Sequence, residues 1–382
     1  MIPLSYNYRN LRVRWRTTLM TASGFTLVVA ALVVMLAFIN GIEAACATTG
    51  EPENVILLSK GNNDEVLSQM ERGLVAQVEN TRGVALDTSS QPVASRELFM
   101  VVHHRNDETG EFRFLQVRGV LPVAFRVHSH LLVREGRGFK RGQSEVIIGQ
   151  AVRRETHLQV GDFIDMGRKR WKITGVFEAG GSAFESELWC DLNELASQFR
   201  REGMYSSVIL RTPSPQGAED LAEQLRASRS VNVEAMTEPK YYQKQSEQTK
   251  IMQTAAWVIA WFMGIGAMFG VMNTMFAAIG QRTKDIAVLR IMGFEAGDIV
   301  LSFLLEAILI ALIGGILGVA LGTAANGITR TTSIGARQID FAFRVDAAIV
   351  AFAALFTLVM GMLGGLLPAL SAMRIKPLEA LH

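Results

Sequence analysis

Residues 251–281 read IMQTAAWVIAWFMGIGAMFGVMNTMFAAIGQ, a run of 31 residues without Asp, Glu, Lys or Arg. As a helix it would be about 46 Å long at 1.5 Å per residue, whereas the hydrocarbon core of a bilayer is roughly 30 Å thick. The run therefore predicts a transmembrane helix that continues outward as a stalk. Trp257 and Trp261 lie where an aromatic belt at the outer membrane surface is expected.

Three further uncharged runs are long enough to cross a membrane, so the sequence predicts four transmembrane helices. These runs are residues 17–42, 307–329 and 347–373. The first follows basic residues like a signal peptide, but its apolar run is too long for one and predicts an uncleaved anchor. With 49% hydrophobic and 19% charged residues, the chain should divide into membrane and aqueous parts. The net charge of +2 gives no reason to expect a nucleic-acid partner.

Basic residues beside the apolar runs predict the orientation in the membrane. Nine of them belong on one side, namely Arg9, Arg12, Arg14, Arg16, Arg282, Lys284, Arg290, Arg374 and Lys376. The opposite short loop has only Arg330, Arg337 and Arg344. Both termini are therefore predicted in the cytoplasm of a multi-pass protein of the bacterial inner membrane, with a large domain outside.

The external region predicts an α+β domain. Its first and last parts contain strands at 54–58, 97–103, 112–119, 207–211 and 231–235 and helices at 64–80 and 218–227. This order resembles a split ferredoxin-like unit. Between them, residues of about 121–200 are β-rich, with strands at 145–148, 162–166 and 171–177, and predict an inserted subdomain. The fold class is thus four transmembrane helices plus an α+β extracytoplasmic domain.

Glycines and one acid single themselves out in the predicted membrane helices. Helix packing is expected at five glycines, Gly266, Gly270, Gly314, Gly318 and Gly322, because four-residue spacing lets another helix approach closely. The partner is either the same chain or a sister subunit. Glu306 is an acid near a membrane segment and is either functional, for example paired with a basic residue of the cytoplasmic loop, or able to reach the interface.

The cytoplasmic loop after residue 281 combines charged residues with Ile286, Leu289 and Ile291, and Gly293 follows as an expected C-cap. This pattern predicts a short amphipathic helix along the membrane surface. Taken alone, it predicts no more than an interfacial connector.

Sites for nucleotide, metal or disulfide chemistry have little support in the sequence. It contains no G-x-x-x-x-G-K-[ST] loop for nucleotide phosphates and no H-E-x-x-H or C-x-x-C motif. His103-His104 and His128-x-His130 have no acidic or cysteine neighbours in sequence and are interpreted as surface histidines. A disulfide between Cys46 and Cys190 is an option, but two unpaired thiols are favoured. No metal or cofactor is expected in this chain.

Several motifs resemble the MacB/FtsX-type ABC permeases. In the membrane part they are GVMNTM at 270–275, RTKDI at 282–286, FLLEA at 303–307, and the ending from LPA at 367–369 to PLEAL at 377–381. In the external part they are GRGF at 136–139, EVIIG at 145–149, VGD at 160–162 and ITGV at 173–176. Gln281 and Asp285 stand where the family usually has glutamates, and the ATPase that precedes the first helix in MacB is expected to be absent here.

The resemblance implies a permease subunit that is not itself an enzyme and works with a separate ABC ATPase, which would bind ATP and Mg. It further implies a second permease subunit, identical or similar, and a periplasmic adaptor or lipoprotein partner. The coupling loop that contacts the ATPase would contain six residues, Arg282, Thr283, Lys284, Asp285, Arg290 and Gly293. The cargo would be a lipoprotein, lipid, peptide or small molecule. The alternative is an FtsX-like signalling subunit that activates an extracytoplasmic enzyme without transport.

The predicted segments follow in chain order. They are the N-terminus and first helix (1–45), the extracytoplasmic domain (46–250), the stalk and second helix (251–281), the coupling loop (282–299), the third helix (300–329), a short external loop (330–346), the fourth helix (347–373) and a cytoplasmic tail (374–382).

Overall fold

The structure, a computed structural model, describes residues 13, 15–105, 112–228, 230–334 and 337–373. Arg9, Arg12, Arg14 and the predicted tail at 374–382 lie outside the described residues. The chain divides into two units. The helical unit comprises the described residues of 1–41, 250–328 and 342–382, and the α+β unit comprises those of 42–249 and 329–341.

The helices differ widely in length and composition. In chain order they are α1 Trp15–Ala47, α2 Arg72–Glu79, α3 Ala124–Val127, α4 Gln150–Thr156, α5 Leu192–Gln198, α6 Pro215–Ala227, α7 Glu238–Gln281, α8 Thr283–Ile291, α9 Ala296–Thr323 and α10 Ala347–Ala372. Among the described residues, α1, α7, α9 and α10 are long and apolar enough to cross a membrane. These are the four helices that the uncharged runs predict. Large apolar side chains on them, such as Leu27, Phe262 and Ile316, are exposed, as expected of surfaces that face lipid.

The third apolar helix differs from its predicted limits of 300–329. Helix α9 begins at Ala296 and ends at Thr323, because charged residues near its start do not interrupt it and a turn follows its end. In that turn Gly327 has a positive φ of 80° and donates its N–H to the Phe343 carbonyl over 2.8 Å. The left-handed conformation favours glycine and stops the helix.

The described strands of the α+β unit form one large sheet and two small ones. The strands are β1 Asn54–Ser59, β2 Met70–Glu71, β3 Ala94–Arg105, β4 Phe112–Val120, β5 Leu132–Gly136, β6 Glu145–Gly149, β7 Phe163–Met166, β8 Lys169–Glu178, β9 Glu187–Asp191, β10 Met204–Tyr205, β11 Ser207–Arg211, β12 Val233–Thr237, β13 Thr329–Ile334 and β14 Arg337–Ala342. The large sheet has the order β12-β1-β11-β3-β4-β9-β6-β8-β5, with β7 also paired to β8. The inserted segment therefore extends the first sheet through a parallel pairing of β4 with β9.

Strand β1 illustrates why this sheet forms. Its residues alternate between two faces, and both faces are covered, so nearly the whole strand is buried and apolar. Val55 and Leu57 pack with residues of α2 and α6, such as Val75 and Leu221. The opposite face belongs to another cluster, which contains Trp189.

The predicted helix at 64–80 is shorter in the structure, where α2 begins only at Arg72. The preceding residues make other contacts. Glu65 turns inward to Arg118, and the Ser68 hydroxyl accepts a hydrogen bond from the Ser59 backbone N–H over 2.9 Å. These tertiary contacts hold residues 64–69 against the end of β1 and override their helical pattern.

The predicted external loop at 330–346 contains the hairpin of β13 and β14, which belongs to the α+β unit. Asp340 donates its backbone N–H to the Ser186 hydroxyl over 2.8 Å. Its carboxylate pairs with Arg154 of α4. The segment between α9 and α10 is therefore attached to the inserted part of the α+β unit.

Three of the five glycines lie where α9 packs on α1 inside the helical unit. A Cβ at Gly314 would lie 2.5 Å from the Ala22 carbonyl oxygen, and one at Gly322 would lie 2.6 Å from the Val33 Cβ. Gly318 makes the same approach between them. The contact partner of this stripe is thus the same chain. Apart from the neighbouring backbone of α7, no described atom lies within 4 Å of the Cβ positions of Gly266 and Gly270, so their role in packing stays a prediction.

Substituting Gly318 with alanine should destabilise the helical unit. The new Cβ would lie 2.7 Å from the Val29 Cβ and 2.8 Å from the Thr26 carbonyl oxygen, and overpacking of this kind costs about 1–3 kcal/mol. Thermal unfolding in detergent should show a lower midpoint for Gly318→Ala. Gly24→Ala is the matched control, because no described atom apart from the neighbouring backbone of α1 lies within 4 Å of a Cβ at that position. Equal midpoints for the two variants would contradict the assignment.

Candidate functional site

The candidate site is the loop that contains α8, which the sequence predicts to lie in the cytoplasm. It follows directly on α7, with Arg282 as the N-cap residue of α8. The Thr283 hydroxyl donates a hydrogen bond to the Gly280 carbonyl over 2.9 Å. It thereby satisfies one of the carbonyls that lack a partner at the end of α7.

Helix α8 has a buried side that is continuous with the core of the helical unit. Ile286 and Ala287 are buried, and Ile286 belongs to a cluster with Ile279, Ile299 and Phe303. This cluster fastens α8 to both α7 and α9. Asp285 lies in the first turn and Arg290 in the last turn. This arrangement of charges stabilises α8, because each charge interacts favourably with the helix dipole.

Gly293 lies just beyond the end of α8, where the sequence predicts a cap. It has a positive φ of 96°, which costs glycine little and other residues more. The Phe294 N–H donates to the Leu289 carbonyl over 3.1 Å, a bond typical of helix ends that close with a left-handed glycine. The chain can therefore reverse within a few residues and begin α9.

Arg282 and Glu306 form an ion pair beside α8. The distance from Arg282 Nη1 to Glu306 Oε2 is 3.3 Å, and their side chains are only 11% and 6% exposed. Of the two options for Glu306, the structure thus shows pairing with a basic residue of the loop. An acid in such a place is costly unless it is paired. The pair ties the start of α8 to α9.

The other side of α8 is exposed and mixed in character. Lys284 and Asp285 are exposed, and so are Val288, Ile291 and Met292 at 46%, 61% and 64%. We refer to these five residues as the α8 patch. The sequence pattern assigned Ile291 to the same apolar side as Ile286 and did not single out Val288 or Met292. The helical spacing of Val288, Ile291 and Met292 from Ile286 could have shown that these three residues lie on the side opposite to Ile286.

The described residues hold no arrangement suited to metal chemistry, since they contain no cluster of three or more His, Cys, Asp or Glu side chains that could bind a metal. The interpretation of the histidines as surface residues is wrong for His128, which is fully buried. Its Nε2 lies 2.9 Å from Glu97 Oε1, a partner distant in sequence. Cys46 and Cys190 are both buried and are not joined by a disulfide, and burial raises the pKa of the Cys190 thiol.

Comparison with known families assigns both parts of the chain. Residues 18–228 match the MacB-like periplasmic core domain, and residues 257–377 match the FtsX-like permease C-terminal domain. The chain belongs to the MacB/FtsX-like family of ABC transporter permeases. Its α8 loop lies within the FtsX-like part.

Relatives of known sequence agree with this family. The chain is 25% identical over 389 residues to the uncharacterized ABC transporter permease YknZ of Bacillus subtilis, covering 96% of this chain and 94% of that protein. It is 28% identical over 287 residues to the macrolide export ATP-binding/permease protein MacB of Photorhabdus laumondii, covering 70% of this chain and 43% of that protein. A MacB of Hahella chejuensis is 26% identical over 392 residues, covering 92% of this chain and 57% of that protein. This chain thus spans about half the length of those MacB proteins.

Two solved structures resemble the chain in part. One is the extracellular domain of the YknZ transporter from Gram-positive bacteria, with a TM-score of 0.36, 18% identity, and coverage of 48% of this chain and all of that domain. The other is the periplasmic region of MacB from Actinobacillus actinomycetemcomitans, with a TM-score of 0.39, 10% identity, and coverage of 52% and 94%.

Substituting Glu306 with glutamine should destabilise the helical unit, because the Arg282 cation would remain buried without its counter-charge. Breaking a buried ion pair in this way costs about 3–5 kcal/mol, and we expect the lower end here because Arg282 is slightly exposed. Thermal unfolding in detergent should show the loss for Glu306→Gln. The control is Glu295→Gln, since the exposed Glu295 makes no side-chain capping bond to α9.

A double substitution separates loss of charge balance from loss of packing. Arg282→Met with Glu306→Leu removes both charges together and should be more stable than Glu306→Gln alone. If Glu306→Gln were as stable as Glu295→Gln, the ion pair would not stabilise the loop.

Proposed function

We propose that this chain is the membrane subunit of an ABC transporter, in which a separate ATPase binds ATP and Mg and drives motion of the extracytoplasmic α+β unit. The observation that carries the proposal is the α8 patch. Charged and apolar side chains lie exposed there on a helix whose other side is fixed to α7 and α9. Such a surface suits a partner protein better than water alone, since apolar groups on it remain exposed.

The way α8 is attached supports a coupling role. A push on its exposed side would reach α7 through the cluster around Ile286, and it would reach α9 through the pair of Arg282 and Glu306. Of the six residues expected to contact the ATPase, Lys284 and Asp285 are the best placed, because their charged side chains are exposed on α8. Arg282, Thr283 and Gly293 contribute by shaping the loop, through the contacts described above.

Helix α7 supports transmission of that motion to the outside. It is a single helix of 44 residues from Glu238 to Gln281, which corresponds to about 66 Å at 1.5 Å per residue. Its first residues belong to the α+β unit and its last residues to the helical unit. Work on cargo outside the membrane would then need no conventional pore through four helices.

The partners, cargo and location follow from the family. We infer a second permease subunit, identical or similar, and a periplasmic adaptor or lipoprotein partner. The cargo would be a lipoprotein, lipid, peptide or small molecule, and the MacB relatives are named for macrolide export. The chain would lie in the bacterial inner membrane with both termini in the cytoplasm and its α+β unit outside.

We also infer that the α+β unit contains a split ferredoxin-like core. The order β12-β1-β11-β3 with antiparallel neighbours supports this. Numbered by their place in the core, these strands follow the order 4-1-3-2, with α2 and α6 as the two helices. The inserted segment enters after β4, between the second and third of these strands.

Reversing charge in the α8 patch should detach the ATPase. Asp285→Arg combined with Met292→Glu changes two exposed side chains at the ends of α8. Each change opposes the helix dipole by less than about 1 kcal/mol, so the fold should remain intact while the surface that the ATPase contacts is removed. The measurement is co-purification with the ABC ATPase encoded nearest to the gene, together with ATP hydrolysis by the reconstituted complex. We expect at least a tenfold loss of bound ATPase, equivalent to about 1.4 kcal/mol.

The matched control is Asp165→Arg, a charge reversal at an exposed position of the α+β unit. It should retain the ATPase at the level of the unchanged chain. Full ATP hydrolysis by the α8 variant would refute the coupling role. Capture of a cell-wall hydrolase by the α+β unit, with no adaptor or lipidated cargo, would instead support the signalling alternative.

A further inference from the structure

Six ionisable side chains lie together inside the α+β unit and have no role in the proposed coupling. They are Glu65, Glu97, Arg118, His128, Glu187 and Glu238, and each is fully buried. They come from β3, β4, β9, the start of α7, the residue after α3, and the segment between β1 and β2. Burial of a charge costs several kcal/mol unless the charge is paired and hydrogen-bonded.

Arg118 satisfies its own hydrogen bonds but leaves the cluster acidic. Its five N–H groups all find carboxylate oxygens, at 2.5–3.1 Å, on Glu65, Glu97 and Glu187. Three carboxylates thus face one guanidinium. Further positive charge or bound protons are needed to balance them in a buried place.

His128 is the next group in the cluster, and its two ring nitrogens have different surroundings. Nε2 lies 2.9 Å from Glu97 Oε1. Nδ1 lies 3.7 Å from Glu238 Oε1, and neither of these two atoms has a hydrogen-bond partner among the described residues. If the ring were neutral and donated from Nε2, then His128 Nδ1 and Glu238 Oε1 would both be acceptors, with no hydrogen between them. A proton between them removes this conflict.

Glu238 is held so that this oxygen remains directed at the ring. Its other oxygen, Oε2, accepts hydrogen bonds from Asn54 Nδ2 over 2.8 Å and from the Glu51 backbone N–H over 3.0 Å. A Cβ at Gly50 would lie 2.9 Å from the Glu238 Cγ, which shows how closely the chain packs there. Glu238 is also the first residue of α7.

We propose that one proton, bound between His128 Nδ1 and Glu238 Oε1, fastens the first residue of α7 to the inserted part of the α+β unit. The proton is carried on Nδ1, so that the imidazolium donates to Glu97 on one side and faces Glu238 on the other. This inference goes beyond the proposed function and does not depend on it. It makes the hold on α7 depend on the acidity of the medium around the α+β unit.

We refer to the contact of protonated His128 with Glu238 as the lock. The surrounding charges determine the pH range in which it forms. The groups that face His128 are Glu97 on β3, Glu238 on α7 and Arg118 on β4, and Glu65 and Glu187 lie behind Arg118. Burial opposes the charged ring, but the carboxylates of Glu97 and Glu238 outweigh it and raise the pKa of His128 above its ordinary value of about 6.5. The stability that the protonated His128 ring supplies is complete below its ordinary pKa and is lost as the pH rises through its raised pKa.

Two carboxylates set the acid side of the lock. Burial raises the pKa of Glu238 above its ordinary value, so that Glu238 takes up a proton before Glu97 as the pH falls. Burial also opposes the charge on Glu97, but His128 and Arg118 outweigh it, so that the pKa of Glu97 lies below its ordinary value. Its contribution is complete above that ordinary value and is lost as the pH falls through the lowered one. The lock is therefore strongest in mildly acidic medium.

The test uses the full-length chain in nanodiscs, titrated between about pH 5 and 9. Two signals are measured, the thermal midpoint and tryptophan emission, because the ring of Trp189 lies 5.2 Å from that of His128 and imidazolium quenches indole. The unchanged chain should lose thermal stability and gain emission as the pH rises, with a common midpoint above about 6.5.

Three variants decide the outcome. His128→Gln should abolish the common transition, and the matched control His103→Gln, at an exposed site on β3, should keep it. Glu238→Gln should move the transition to lower pH, because its amide can donate to a neutral Nδ1 and so replaces the proton. The same transition in His128→Gln as in the unchanged chain would overturn the proposal. If His128→Gln did not fold, an unshifted transition in Glu238→Gln would overturn it.

Discussion

The hydrogen-bonding demand of the buried Arg118 guanidinium is the constraint on which the α+β unit depends. A guanidinium that is removed from water needs an acceptor for each of its five N–H groups, and Arg118 obtains them from Glu65, Glu97 and Glu187. These residues belong to the segment after β1, to β3 and to β9. Because β9 is part of the inserted segment, the ion cluster joins that segment to the first strands at the place where β4 and β9 pair.

In the helical unit, too, a buried charged side chain has a partner of opposite charge, but packing of small residues has the larger part. Its interior is held by close contacts of small residues, such as Gly318 of α9 on Val29 of α1, since helices in lipid gain little from apolar burial alone. Arg282 and Glu306 differ from these small residues, because each is a largely buried charge and needs the other as its partner. In both units a buried charge decides the position of an element that local sequence preferences would leave open.

Local signals in the sequence predicted much of this fold, and contacts between distant residues account for the rest. The four apolar helices and the strands around residues 145–148 and 171–177 follow from uncharged length and from runs of apolar residues. The spacing of Gly314 to Gly322 predicted a close contact but could not tell which helix makes it. His128 was interpreted as a surface residue because its partners, Glu97 and Glu238, are far away in sequence. In the loop around α8, the cap at Gly293 follows from the local sequence pattern, whereas the exposure of Met292 depends on how α8 packs.

Helix α7 connects the two places where charge and packing are most constrained, and its composition suits the transmission that we propose. Its start is fixed by Glu238, and its end leads into α8 beside the pair of Arg282 and Glu306. Pro239 lies in the first turn, where a helix tolerates proline, and no further proline occurs before Gln281. Sharp kinks usually need a proline or a comparable interruption. A displacement of α8 would thus pass along α7 rather than be absorbed within it, and the contacts at Glu238 would determine how firmly the α+β unit receives it.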